Sequence, residues 1–303
     1  MNEITLYAMA KINLGLDVLR RREDGYHDVK MIMQNVNLYD TLTLQKTEDP
    51  GITITIEGAD LSDGEDNLIR RAAKLMREEY GISRGVGIRL TKRIPIAAGM
   101  AGGSVDAAAT LKGMNHLFDL GASREKLEAL GLRLGADVPF CISGGTVLAE
   151  GIGERLTLLP PPPDCYLVIA KPGIGVSSKY VYENLHADTL EYHPDIDGMA
   201  DAIRGQDLKG IIERMGNVLE RVTQTRYPVI VQLKHLLMEN GAANALMSGS
   251  GPTVFGIFTE AETAASALSA IRNSGLTETA VRTEFAHAAV LTEEELQSKR
   301  ESI

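Results

Sequence analysis

The chain has no tryptophan and only two cysteines, Cys141 and Cys165, which lie far apart and in no metal-type spacing. Neither a disulfide framework nor a cysteine zinc site is expected, and a reducing cytoplasm is the expected compartment. Positive charge is scarce too: 31 Lys and Arg against 41 Asp and Glu leave a formal charge of −10. A field of that sign repels nucleic acid and anionic membrane, so neither is an expected partner. An anionic ligand therefore needs a local, organised positive site. Long apolar runs are missing. The longest weakly polar window, Ile94 to Leu111, contains Pro95, Gly99, Gly102, Gly103 and Asp106 and does not read as a membrane span. Near the amino terminus stands Glu3, with no basic run ahead of an apolar stretch, so no secretory signal is expected. No internal repeat is found.

What is present is a chain of 303 residues, 44% apolar and 24% charged, enough for one or two ordinary cores. Ile12, Leu14, Leu16 and Val18 alternate with Asn13, Gly15 and Asp17, the period of a half-buried strand with Lys11 on its polar side. Val29 to Leu38, Thr41 to Leu44 and Ile52 to Ile56 follow, so that the first sixty residues read as sheet. Asp66 or Asn67 caps an expected helix with Leu68, Ile69, Ala72, Ala73, Leu75 and Met76 spaced for one buried face and Gly81 after its end. Val86, Ile88 and Leu90 alternate as a strand, a Gly- and Ala-rich loop follows, and Ser104 and Asp106 open an Ala-rich helix to Leu117. Four prolines, Pro160 to Pro163, favour a stiff extended strut and mark the expected domain boundary. Beyond it the pattern predicts helices over Leu208 to Arg221, Val229 to Glu239 and Glu262 to Ser274. Thr292 to Ile303 reads as a charged, frayed end.

The segment Pro95-Ile96-Ala97-Ala98-Gly99-Met100-Ala101-Gly102-Gly103-Ser104-Val105-Asp106 is the most informative stretch. Small residues let a backbone approach a ligand closely, and a loop that opens a helix aims unpaired N–H groups and the positive dipole end at an anion. The P-loop signature is absent: no Gly-Lys pair occurs and no GxGxxG follows a strand. The same composition also describes a flexible connector between tightly packed helices. Lys11 is either a solvated strand residue or a point charge for a phosphoryl group. Asp137, ahead of Pro139, is either a helix cap or the acceptor of a proton from an attacking hydroxyl. Asp24-Gly25-Tyr26-His27 carries a hairpin signal, and Ser248-Gly249-Ser250-Gly251-Pro252 is a tight turn or a second backbone wall.

Taken jointly and in order, these segments, with Ala10-Lys11-Ile12-Asn13-Leu14 and Gly135-Ala136-Asp137-Val138-Pro139, resemble the superfamily of galactokinase, homoserine kinase, mevalonate kinase and phosphomevalonate kinase. Asp24-Gly25-Tyr26-His27 with Gly135 to Pro139 narrows the resemblance to a member acting on a cytidine diphosphate sugar alcohol. The resemblance implies an α+β, two-lobed kinase fold: residues 1–160 related to ribosomal protein S5 domain 2, residues 161–303 ferredoxin-like. It implies ATP and Mg2+, and transfer of the γ-phosphoryl group to the substrate's 2-hydroxyl in non-mevalonate isoprenoid synthesis. By the same resemblance Asp137 is the catalytic base and Lys11 its partner at the reacting phosphate. Pro95 to Val105 cradle ATP, Asn67 and Lys92 lie near the adenosine, and Asn13, Tyr26 and His27 bind the acceptor, the last two at its cytosine. Metal ligands and oligomeric state stay open. A sister kinase for homoserine or mevalonate and a non-catalytic metabolite-binding homologue are the alternatives. The family loop often reads Gly-Leu-Gly-Gly-Gly-Ser-Ser. Here Ala101 replaces a glycine, which avoids strain only outside the left-handed region, and Val105 removes a hydroxyl.

Overall fold

The alternation at the start of the chain runs further than its clearest stretch. In the computed structural model, which describes residues 1–301, β1 (Glu3–Arg21) and β2 (His27–Thr47) are single long strands joined through the Asp24-Gly25 turn. They pair antiparallel, with register shifts between Met9 and Lys11 and between Asn13 and Gly15. Such shifts bend a strand and re-aim its side chains. They bracket Lys11 and Asn13, which with Asp17 are the buried polar residues of β1.

β3 (Ile52–Glu57) precedes α1 (Leu68–Tyr80) and β4 (Gly85–Thr91). α1 forms as its spacing predicts: Asn67 Oδ1 accepts from the Ile69 amide at 2.9 Å, and Gly81 ends the helix in the left-handed region. α2 (Gly102–Phe118), α3 (Arg124–Leu132) and α4 (Val138–Ser143) follow, then β5 (Thr146–Gly151) and β6 (Arg155–Leu159). Residues 160–163 carry neither helix nor strand.

The second half contains β7 (Tyr166–Lys171), α5 (Ser178–Glu183), α6 (Ile196–Arg204), α7 (Leu208–Glu213), β8 (Gly216–Asn217), α8 (Glu220–Arg226) and α9 (Val229–Glu239). It ends with β9 (Asn244–Met247), β10 (Val254–Phe258), α10 (Ala261–Asn273), β11 (Thr279–Glu284), β12 (Val290–Thr292) and α11 (Glu293–Glu301). β11, β7, β10 and β9 lie in that order in an antiparallel sheet, a ferredoxin-like arrangement. The larger sheet runs β12-β1-β2-β4-β3, with β5 and β8 attached to β2 and β1. The chain therefore returns to its first strand at its end, Leu6 to Ala8 pairing with Val290 to Thr292.

Two expectations need correction. The single helix over Leu208 to Arg221 is broken at Gly216-Asn217, which pair with Gly15-Leu16 of β1. Asn217 Nδ2 donates to the carbonyls of Met247 and Gly249, both at 2.8 Å, a set of bonds a continuous helix could not make. The frayed end is instead α11. Thr292 Oγ1 accepts from the Glu295 amide while Glu295 Oε2 accepts from the Thr292 amide, a capping box, and the acidic first turn suits the helix dipole. Ser302 and Ile303 lie outside the described residues.

Candidate active site

A cavity of about 1270 Å³ opens where β1, the turn before β2, the starts of α1, α2 and α4, and α5 meet. One of its walls is the loop ahead of α2. Gly99 adopts φ +73°, and a Cβ there would fall 2.2 Å from the Ser248 carbonyl oxygen, so the loop passes the 248–251 turn at a distance only glycine permits. Ser248 Oγ donates to the Gly99 carbonyl at 2.9 Å, and the Lys11 amide donates to the Met100 carbonyl at 3.2 Å. The loop is thus clamped between β1 and a turn from the other end of the chain.

α2 begins at Gly102, ahead of the Ser104 start expected from sequence. The first intrahelical bond runs from the Val105 amide to the Ala101 carbonyl, and no side chain caps the end. The amides of Gly102, Gly103 and Ser104 therefore precede the helical ladder, and all three residues line the cavity. An uncapped helix start with small residues is suited to an anion. Met100 and Val105, expected in the cradle, are packed into the core and do not line the cavity. The hydroxyl missing at Val105 would have pointed into apolar packing.

Ala101 sits in the left-handed region, φ 56°, so its strain is real, but its methyl packs against the core. Ala97 is also left-handed, at φ 49°, and is exposed, with no packing to offset the strain. Ala97→Gly is expected to raise stability by about 0.5–1 kcal/mol, since relief of left-handed strain exceeds the added freedom of the unfolded chain. Urea denaturation checks this, and a loss of stability would contradict it.

Lys11 and Asp137 come to this cavity from separate elements. Lys11 is buried, and its Nζ donates to Asn13 Oδ1 at 2.7 Å, leaving two N–H donors for a ligand. Asn13 in turn donates to Met31 Sδ at 3.3 Å, which fixes its amide so that oxygen faces the ammonium. A Cβ at Gly249 would sit 3.6 Å from Lys11 Nζ, so the Gly-Ser turn closes over the same spot. Asp137 occupies the cap position of α4, where Pro139 opens the helix, yet its side chain makes no capping bond. The capping alternative therefore accounts for the residue's place and not for its carboxylate. Cys141, one turn further along α4, is pushed well above its usual range, by burial first, then by the Asp137 charge, with Lys11 drawing it down. Both charges act on one point beside the cavity.

Lys92 and Asn67 line the cavity on the side of α1, and their side chains are also engaged inside the protein. Lys92 Nζ binds Asp40 Oδ2 and, at 2.9 Å, Asp106 Oδ2, all three groups being buried. Desolvation lowers the lysine's pKa, but the two carboxylates outweigh it and hold the group above its ordinary value. Asn67 spends its oxygen on the α1 cap and donates to the Ser62 carbonyl at 2.8 Å.

At the opposite end Tyr26 is 60% exposed on the rim, while His27 is buried with Nε2 lacking a partner. Burial, and secondarily the Arg21 charge, lowers the imidazole's pKa, so the ring is neutral at pH 7 and keeps one donor and one acceptor. A buried orphan nitrogen on a cavity wall asks for a ligand group. Tyr182 of α5 lies 5.3 Å from the His27 ring, centroid to centroid, and lines the same cavity. Sequence reasoning missed Tyr182: Ser177 gives a legible cap for α5, but nothing local shows that the tyrosine meets His27.

Residues 67–145 match the model for the GHMP kinases N terminal domain, and residues 199–276 the model for GHMP kinases C terminal. A 4-diphosphocytidyl-2-C-methyl-D-erythritol kinase of Lachnoclostridium phytofermentans is 54% identical over 85% of this chain and 89% of its own. A counterpart of the same name in Lachnospira eligens is 50% identical over 91% of this chain and 96% of its own. A crystal structure of 4-(cytidine 5'-diphospho)-2C-methyl-D-erythritol kinase, 32% identical, superposes with a TM-score of 0.80, covering 93% of this chain and 99% of that one.

Proposed function

The chain belongs to the 4-diphosphocytidyl-2-C-methyl-D-erythritol kinases, a branch of the GHMP kinases, and from that premise we propose that Asp137 and Lys11 carry its phosphoryl transfer. It is an ATP-dependent small-molecule kinase of isoprenoid synthesis. The acceptor is the 2-hydroxyl of 4-diphosphocytidyl-2-C-methyl-D-erythritol. The observation that carries the reading is the sharing of one cavity by an uncapped helix start, a buried ammonium and a carboxylate that caps nothing.

Phosphoryl transfer asks a protein for in-line positioning and charge stabilisation. The triphosphate lies along Pro95 to Ser104, its oxygens meeting the amides that open α2. Lys11, oriented by Asn13, faces the γ-phosphoryl group and offsets charge on it as the bond to the β-phosphate breaks. Asp137 accepts the proton of the 2-hydroxyl while that oxygen bonds to phosphorus, and ADP leaves. Tyr26 and Tyr182 flank the cytosine, and neutral His27 supplies the hydrogen bond its orphan nitrogen leaves open. Asn67 and Lys92 border the adenosine side.

Among the described residues no group of three or more His, Cys, Asp or Glu side chains is arranged to hold a metal ion. The side chains thus do not fit a resident Mg2+ cage. Mg2+ is assigned to the nucleotide, whose phosphate oxygens and waters suit its octahedral demand. Among the described residues no helix is long and apolar enough to cross a membrane. The cytoplasm, where ATP is supplied, is the compartment this reading assigns.

The test is ADP release by purified protein with ATP and Mg2+, offered the diphosphocytidyl substrate, homoserine or mevalonate in turn. Turnover with the first alone, inhibited by CDP, is expected. Turnover of homoserine or mevalonate that CDP leaves untouched would overturn the substrate assignment.

A further inference from the structure

Asp106, at the start of the second turn of α2, is 3% exposed and lines the cavity. Its Oδ2 accepts from Lys92 at 2.9 Å, while its Oδ1 is buried without a partner. Lys92 also binds Asp40, whose other oxygen accepts from the amides of Arg93 and Ile94. A chain of bonds therefore ties the start of α2 to the backbone that leads into the phosphate loop. The charged and titratable groups facing Asp106 are Lys92, beyond β4, Asp40 of β2 and Cys141 of α4, with Lys11 and Asp137 lining the same cavity. With Lys92 protonated and both carboxylates ionised, this triad carries a net negative charge beneath the helix end assigned to a polyanion.

We propose that Asp106 is a positioning residue that answers the charge of bound ATP by taking a proton from solvent onto Oδ1. The O–H bond forms at Oδ1, hydronium or buffer acid gives up the proton, and the triad becomes neutral. An orphan acceptor becomes a donor on a cavity wall where phosphate oxygens accept. Asp106 sits at about 7, raised first by burial, drawn down by Lys92 and raised again by Asp40, so near neutral pH a neighbouring negative charge tips it. The proposal rests on the reading of this cavity as the ATP site.

Calorimetric titration of the intact protein with MgATP at pH 8, in buffers of different ionisation enthalpy, counts the protons taken up. About one proton per nucleotide is expected, with affinity weakening ~tenfold per pH unit above pH 7. Asp106→Asn, of the same shape and unable to titrate, is expected to bind ATP with uptake near zero and a flat pH profile. Wild-type binding without proton uptake would overturn the proposal, even if the variant failed to fold, and so would uptake that survives in Asp106→Asn. Failure of MgATP to bind wild-type protein at any pH would remove the ATP-site reading itself, an outcome distinct from binding without uptake.

Discussion

Asp137→Asn lowers kcat by ~10²- to 10⁴-fold, the range a positioned general base supplies. Asparagine has nearly the shape of aspartate but cannot take the hydroxyl's proton. The side chain makes no capping bond to α4, so the substitution removes no helix-stabilising contact, and stability should stay within about 0.5 kcal/mol of wild type. ATP binding should persist, because the amides that open α2 and the Gly99 clamp come from other segments. ADP release under saturating substrates measures the rate, calorimetry the binding, and urea the stability. A variant with full activity would remove Asp137 from its role. A variant with lost stability would make it a structural residue, and one with lost ATP binding alone a nucleotide-binding one.

Lys92→Met should be the most damaging change to the fold, by about 3–5 kcal/mol, the cost of leaving buried charge uncompensated. The ammonium stands between Asp40 and Asp106, and both carboxylates are buried. Removing it leaves two acidic groups facing each other in a low dielectric, and Asp40 still holds the Arg93 and Ile94 amides. Adding Asp106→Asn to that background should return part of the loss, because it deletes one of the two charges. Denaturant unfolding checks both. A loss under about 1 kcal/mol for Lys92→Met would show that the triad is not the structural hub its burial implies.

Much of the framework is legible from local pattern. Asn67, the apolar spacing after it and Gly81 define α1 because cap, buried face and left-handed stop are all encoded within the helix itself. Leu208 to Arg221 misleads for the opposite reason: its interruption is imposed by β1, which recruits Gly216-Asn217 from far along the chain. At the candidate site, the loop before α2 stands out by composition, and Lys11 and Asp137 emerge from the ordered motifs. Their convergence was beyond any local signal, since it depends on strand register in β1 and the packing of α4. Lys92 shows the limit most clearly. The resemblance puts it near the adenosine, but its ion pairs to Asp40 and Asp106 appear only when three separate elements meet. Tyr182 and the orphan nitrogen of His27 are likewise tertiary facts.

The most direct measurement is a double-mutant cycle on kcat with Lys11→Met, Asp137→Asn and the two combined. Groups that act on the same transferring phosphoryl are not independent, so the combined variant should be slower than the worse single one by no more than about tenfold. Losses that simply multiply would mean that ammonium and carboxylate work apart, which contradicts a shared site.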